Sequence, residues 1–142
     1  MSTMPDDEID EFLSSPRDGV LSVRLASGRA MGTPIWFRWA EGRALFQSPT
    51  TSAKTASLRA TGRASLCVHE QALPRVRYVT LEGPVVEVDF ERDHIADAAR
   101  HYLGDDGAAF METIDAALDA GRRWASFELE PTTISSTSRS ML

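Results

Sequence analysis

Gly19-Val20-Leu21-Ser22-Val23-Arg24-Leu25 and, after the turn Ser27-Gly28, Met31-Gly32-Thr33-Pro34-Ile35-Trp36-Phe37-Arg38-Trp39 are the stretches that decide the fold. Leu21, Val23 and Leu25 alternate with Ser22 and Arg24, and Met31, Thr33, Ile35, Phe37 and Trp39 share one face. This is the two-residue period of half-buried strands, so the pair reads as a hairpin. Glu41-Gly42 then turns into a third strand, Ala44-Leu45-Phe46-Gln47-Ser48. Two more strands are expected at 64–69 and 75–89, the second bent or bulged at Gly83-Pro84 because proline cannot donate to a ladder. A last strand points Ala125, Phe127 and Leu129 inward and ends at Pro131.

Helical spacing fills the gaps between strands. Thr3 and Asp6 resemble a capping box, Pro5 suits a first turn, and Ile9, Phe12 and Leu13 continue until Pro16, which predicts a helix over 4–14. A short helix carrying Lys54 runs to about residue 60. Ile95, Ala98, Ala99, Tyr102 and Leu103 form one face of another, and Phe110, Met111, Ile114, Ala117 and Leu118 one face of a fourth. Six strands with short turns, and no alternation of strand with long helix, argue against a parallel nucleotide-binding sheet. The expected class is mainly β with α: a six-stranded antiparallel barrel with flanking helices, which removes exposed strand edges. One domain covers residues 1–142, with residues 1–16 as the N-terminal helix and 131–142 as a serine/threonine-rich tail in a loose surface strand or loop.

Composition excludes several functions. The chain has 142 residues, 42% of them apolar, enough for one sizeable core, and a net charge of −6. That charge argues against nucleic acid or anionic membrane as the partner, since both need a basic face. No apolar run approaches the roughly 20 residues of a membrane span. The start Met1-Ser2-Thr3-Met4-Pro5-Asp6-Asp7-Glu8 is acidic where a secretory signal is basic and then apolar, and the single Cys67 has no disulfide partner. A cytoplasmic protein is expected.

One lysine stands against fourteen arginines, in Ser48-Pro49-Thr50-Thr51-Ser52-Ala53-Lys54-Thr55-Ala56-Ser57-Leu58-Arg59. A hydroxyl-rich loop that opens a helix and carries a lone cation suits a phosphate, because helix N-termini present unpaired N–H groups. A surface lysine on a capped helix is the competing reading. His94, Asp97 and His101 share one side of a helix at metal-ligand spacing, but about 110° from its apolar face, so the stripe points to water and no metal site is expected. Gly32, Pro34 and Trp36 share the strand face opposite Ile35 and Phe37. That face suits either a dimer contact or a flat ring. No nucleophile elbow, paired cysteines or Walker loop is present, and no catalytic residue is assigned. Such a chain leaves the chemistry to a cofactor.

Taken in order, Gly19-Val20-Leu21-Ser22-Val23, Thr33-Pro34-Ile35-Trp36-Phe37, Ser52 to Arg59, Arg63-Ala64-Ser65-Leu66 and Arg77-Tyr78-Val79-Thr80-Leu81-Glu82-Gly83 resemble the pyridoxamine 5′-phosphate oxidase-like split β-barrels, which include the flavin/deazaflavin oxidoreductases. The resemblance implies a homodimer with cofactor sites at the subunit interface. It implies a phosphate on Ser52 and Lys54, with Arg59 from the same helix, and a ring lined by Thr33, Pro34, Ile35 and Trp36. The end of the third strand adds Gln47, Ser48 and Thr50, and the partner contributes Arg77 and Tyr78. Tyr78 stands where the true oxidases carry glutamine, and their carboxy-terminal arginine and histidine motif is absent. Pro34-Ile35-Trp36-Phe37 and Tyr78 look more like the branch that uses the 5-deazaflavin coenzyme F420. The implied activity is hydride transfer to a small unsaturated substrate. The alternatives are an FMN oxidoreductase of the same fold and a non-catalytic carrier of flavin, heme or a related ligand.

Overall fold

The computed structural model describes residues 3–142. Its elements are α1 (Asp6–Ser14), β1 (Gly19–Arg24), β2 (Ala30–Ile35), β3 (Arg38–Ala40), β4 (Arg43–Pro49), α2 (Ala53–Thr61), β5 (Arg63–Ala72), β6 (Arg75–Val88), α3 (Arg92–Leu103), a 3-10 turn at Gly104–Asp106, α4 (Gly107–Asp119), β7 (Trp124–Leu129) and β8 (Thr133–Ser140). All pairings are antiparallel, in the order β2-β1-β5-β6-β7-β4-β3, with β8 beside β6. The expected class holds, with eight strands in place of six.

The two extra strands have separate causes. At Trp36-Phe37 the second strand leaves its ladder. The Tyr102 hydroxyl takes over there, accepting from the Phe37 amide at 3.2 Å and lying 2.7 Å from the Arg17 carbonyl and 3.2 Å from that of Phe37. The strand is thus divided into β2 and β3, the two ends of the strand order, and this is the split in the barrel. The second extra strand is the tail: β8 pairs with β6 from Arg75↔Ser140 to Glu82↔Thr133. Its inward Ser136 accepts from the Met4 amide through Oγ at 3.1 Å, so the chain start is stitched to the chain end. Thr3 belongs to this stitch, accepting from the Ser138 amide at 2.8 Å, and α1 has Pro5 at its N-cap with no side-chain cap. The expected capping box of Thr3 and Asp6 is absent.

At Gly83-Pro84 the long strand β6 changes partners, from β5 and β8 up to this point to β7 after it. Here the backbone of residues 130–132 crosses close over Gly83, held by Glu130 N–H to the Pro84 carbonyl at 3.1 Å and Thr132 N–H to the Glu82 carbonyl at 2.9 Å. The strand continues through Gly83-Pro84 without a break, and its register with β5 shows no bulge there.

Two cores result. The larger fills the barrel with Phe12, Leu21, Phe37, Phe46, Leu66, Leu81, Phe127 and Leu129, each contributing roughly 1.5–3 kcal/mol of burial. Phe46 and Phe127 are register partners with stacked rings 5.8 Å apart. The smaller joins α3 and α4 through Ile95, Ala99, Met111 and Ile114, with Trp36, Phe110 and Trp124 against them. Leu103, expected on the buried face of α3, is 37% exposed.

Candidate functional site

A cleft of about 200 Å³ opens where the two cores meet, lined by Pro34, Ile35, Trp36, Gln47, Lys54, Ile95, Ala98, Phe110, Ile114 and Trp124. A second hollow of about 370 Å³ adjoins it, sharing Pro34, Ile35, Trp36 and Phe110 and reaching Asp18. Five of the residues named from sequence, Pro34, Ile35, Trp36, Gln47 and Lys54, therefore meet at one place. A larger hollow of about 570 Å³ lies between α2 and the β1–β2 turn. Its walls include Ala53, Ala56 and Ala60, and its buried hydroxyl, Ser57, already donates to the Arg24 carbonyl at 2.6 Å. It offers little chemistry.

Lys54 is not the surface lysine that one sequence reading allowed. Its residue is 8% exposed, and its ammonium has no hydrogen bond or ion pair among the described residues. Every fully enclosed side-chain nitrogen or oxygen among them has a partner, so the ammonium keeps an opening, and that opening is the cleft. Burial lowers its pKa from the usual lysine value, since low polarity disfavours the charged form. Lys54 also lies in the first turn of α2, where unpaired N–H groups add positive potential.

The hydroxyls of the loop fix this geometry and are consumed in doing so. Ser52 is the N-cap of α2, accepting from the Thr55 amide at 3.2 Å. Ser48 Oγ, Ser52 Oγ and Thr55 Oγ1 lie within 2.6–3.1 Å of one another, and Thr55 Oγ1 is also 2.6 Å from the Pro49 carbonyl. Thr50 is tied to the Arg123 carbonyl through its amide at 3.0 Å. Ser48, Thr50 and Ser52 thus hold the loop that holds Lys54. Thr55, which sequence reasoning did not single out, is fully buried and joins the knot. Replacing it with valine keeps its shape and strands its partners. We expect a loss of about 1–3 kcal/mol in urea unfolding and weaker ligand binding as Lys54 loosens.

Other residues named from sequence lie outside this chain's own cleft or on faces other than those expected. Arg59 forms a two-point ion pair with Glu87 at 2.8 and 2.9 Å and is not in the cleft. Arg77 bonds Glu70 at 2.6 Å and stands over the Phe12 ring at 5.0 Å, at the α1 end of the barrel. Tyr78, next in the strand, points the other way, onto the open sheet face, and is 36% exposed. Thr33 pairs with Leu21 and does not line the cleft. Trp36 does not share the open face with Gly32 and Pro34. With the strand broken after Ile35, it turns toward the helices, stacked on Tyr102 at 5.1 Å and 7° and tilted against Phe110. His94 is not solvated: its side chain is 19% exposed and its Nδ1 lies 2.8 Å from Ser126 Oγ. Asp97 pairs with Arg38 at 2.8 Å, and the described residues hold no metal-binding group of His, Cys, Asp and Glu. No helix among them is long and apolar enough to cross a membrane.

The family model described as pyridoxamine 5′-phosphate oxidase matches residues 5–137. The chain belongs to that family. No curated protein matches the sequence. Solved structures with the same fold include a conserved hypothetical protein from Mycobacterium tuberculosis, 20% identical over 95% of this chain and 85% of that one, with a TM-score of 0.75. An FAD-binding protein from Mesorhizobium loti is 18% identical over 96% of each chain, with a TM-score of 0.69. An F420 reductase is 17% identical over 88% of this chain and 94% of its own, also with a TM-score of 0.69. At these identities the likeness is one of fold.

Proposed function

We propose that this protein is an oxidoreductase that binds coenzyme F420, with a cofactor phosphate on Lys54 and the ring along Pro34, Ile35 and Trp36, and reduces a small unsaturated substrate. The observation that carries this is Lys54, a buried residue whose unpartnered ammonium opens into a cleft with largely apolar walls. An uncompensated buried cation is costly, and a phosphate at the positive end of α2 compensates it. The two adjoining hollows together fall in the range of small-molecule sites, about 300–1,000 Å³.

When bound, a deazaflavin ring supplies the hydride. The chain's own residues do the remaining work. Lys54 and the α2 N-terminus fix one end of the ligand, Trp36 is immobilised by Tyr102 and Phe110 as a rigid wall, and Ile95, Ala98, Ile114 and Trp124 exclude water. FMN, whose phosphate meets the same Lys54, is the alternative cofactor.

A second copy of the chain completes this reading. The outer face of β2-β1-β5-β6-β8 carries the register rows Pro34-Val20-Cys67-Thr80-Ser135 and Gly32-Ser22-Ser65-Glu82-Thr133, in which every side chain but Glu82 is small and none is buried. Pro34 belongs both to this face and to the cleft, so a partner seated there brings its Tyr78 toward the ligand. The activity is tested by offering reduced F420 with a panel of conjugated enones, quinones and nitroaromatics. Protein-dependent loss of reduced-cofactor absorbance with at least one acceptor is expected. Tight binding without turnover across the panel indicates a carrier.

A further inference from the structure

Gln47 is the polar cleft residue beside Lys54, and a hydrogen-bonded chain leads from it to His94. Gln47 Nε2 donates to Ser126 Oγ at 3.4 Å, Ser126 is fully buried, and its Oγ lies 2.8 Å from His94 Nδ1. What fixes the direction of this chain is a backbone group at its far end. The Glu91 amide donates to His94 Nδ1 at 3.3 Å, as part of the reciprocal cap of α3. A ring nitrogen that accepts carries no proton, so the neutral imidazole is protonated at Nε2, on the side of the Glu91 carboxylate 3.7 Å away. Ser126 must then donate its one proton to Nδ1 and accept from Gln47. The Gln47 amide is thereby held with Nε2 on Ser126, and Oε1, which has no partner among the described residues, is left for the cleft.

We propose that His94 is a positioning residue that acts through Ser126 to present the Gln47 carbonyl to the cleft, so that the site selects heterocycles with an imide-type ring N–H. Lys54 offers only donors and Gln47 Oε1 only an acceptor, so ligand orientation is set by two groups of opposite kind. The inference rests on the reading of this cleft as a cofactor site. The reversed chain, with His94 donating from Nδ1, would leave the Glu91 amide unpaired and turn the Gln47 NH₂ inward, rejecting that same ring N–H.

The test compares binding of 5-deaza-FMN and its N3-methyl derivative, by fluorescence titration, to the full chain and three variants. The wild type is expected to favour the N3–H compound by roughly tenfold or more, the size of one well-made hydrogen bond in a dry site. His94→Asn, whose Oδ1 replaces Nδ1 as acceptor, is expected to keep that preference. His94→Phe and Ser126→Ala are expected to bind both compounds with the preference reduced to about twofold or less. A wild-type ratio retained in either His94→Phe or Ser126→Ala overturns the proposal, as does equal binding of the two compounds by the wild type. Failure of the wild type to bind either compound overturns the reading of the cleft and this inference with it.

Discussion

Replacing Lys54 with methionine is expected to make the ligand-free protein more stable while removing its affinity for phosphorylated cofactor. The stem of Lys54 is buried among apolar side chains, and methionine fills a similar volume without a charge. A gain of about 1 kcal/mol, near 4 °C in melting temperature, is the size usual for relief of a strained functional position. The pH dependence identifies the cause. Burial lowers the native pKa of Lys54 below its unfolded value of 10.5, so in the interval between the two the unfolded chain binds more protons. Wild-type stability from this group therefore rises with pH through that interval, and the cost is fully present below the native pKa. The advantage of Lys54→Met over wild type should shrink as pH climbs toward 10.5. A variant less stable than wild type at neutral pH would mean that Lys54 has a structural partner.

Gly83→Ala is expected to produce the largest loss of stability. A β-carbon there would sit 2.5 Å from the Glu130 carbonyl oxygen, 2.8 Å from the Thr132 nitrogen and 3.0 Å from Pro131 Cα. All three are backbone atoms in a crossing that is hydrogen-bonded on both sides of Gly83, so no side-chain rotation relieves the clash. Either β6 or the β7–β8 connection must shift. A loss of roughly 2–4 kcal/mol in urea unfolding is expected, against about 1 kcal/mol for Gly42→Ala, where only a positive φ is at stake and nothing lies within 4 Å. Equal effects at the two positions would show that the crossing is looser than this.

Period-two alternation was enough to read the hairpin, the inward faces of β4 and β7 and the barrel class, because the inward face of each of those strands carries the apolar residues. The pairing of β8 was not legible: its residues are mostly serine and threonine on both faces, and its position follows from pairing along β6 and from Ser136 meeting Met4, a contact 132 residues apart. Lys54 stood out by isolation and by the hydroxyls ahead of it. The sequence carried no sign that those hydroxyls are bonded to one another, since that depends on the loop's path. The ion pairs of Arg59 and Arg77 were illegible for the same reason, because their carboxylate partners, Glu87 and Glu70, are brought to them by the fold. Helical angles put His94 on a wet stripe, but at the first turn of α3 it caps the helix and leans onto β7, a tertiary contact that period alone cannot report.

The central claim is that Lys54 holds a cofactor phosphate in this cleft, and a thermodynamic cycle tests it most directly. FMN and riboflavin share a ring and differ in the phosphate, so their affinity ratio isolates that group. Titrated into wild type and Lys54→Met, the wild type should prefer FMN by roughly ten- to a hundredfold, as a charge-assisted contact of about 1.5–3 kcal/mol requires, and the variant should lose that preference. The same FMN-to-riboflavin ratio in both proteins would place the phosphate elsewhere and contradict the account.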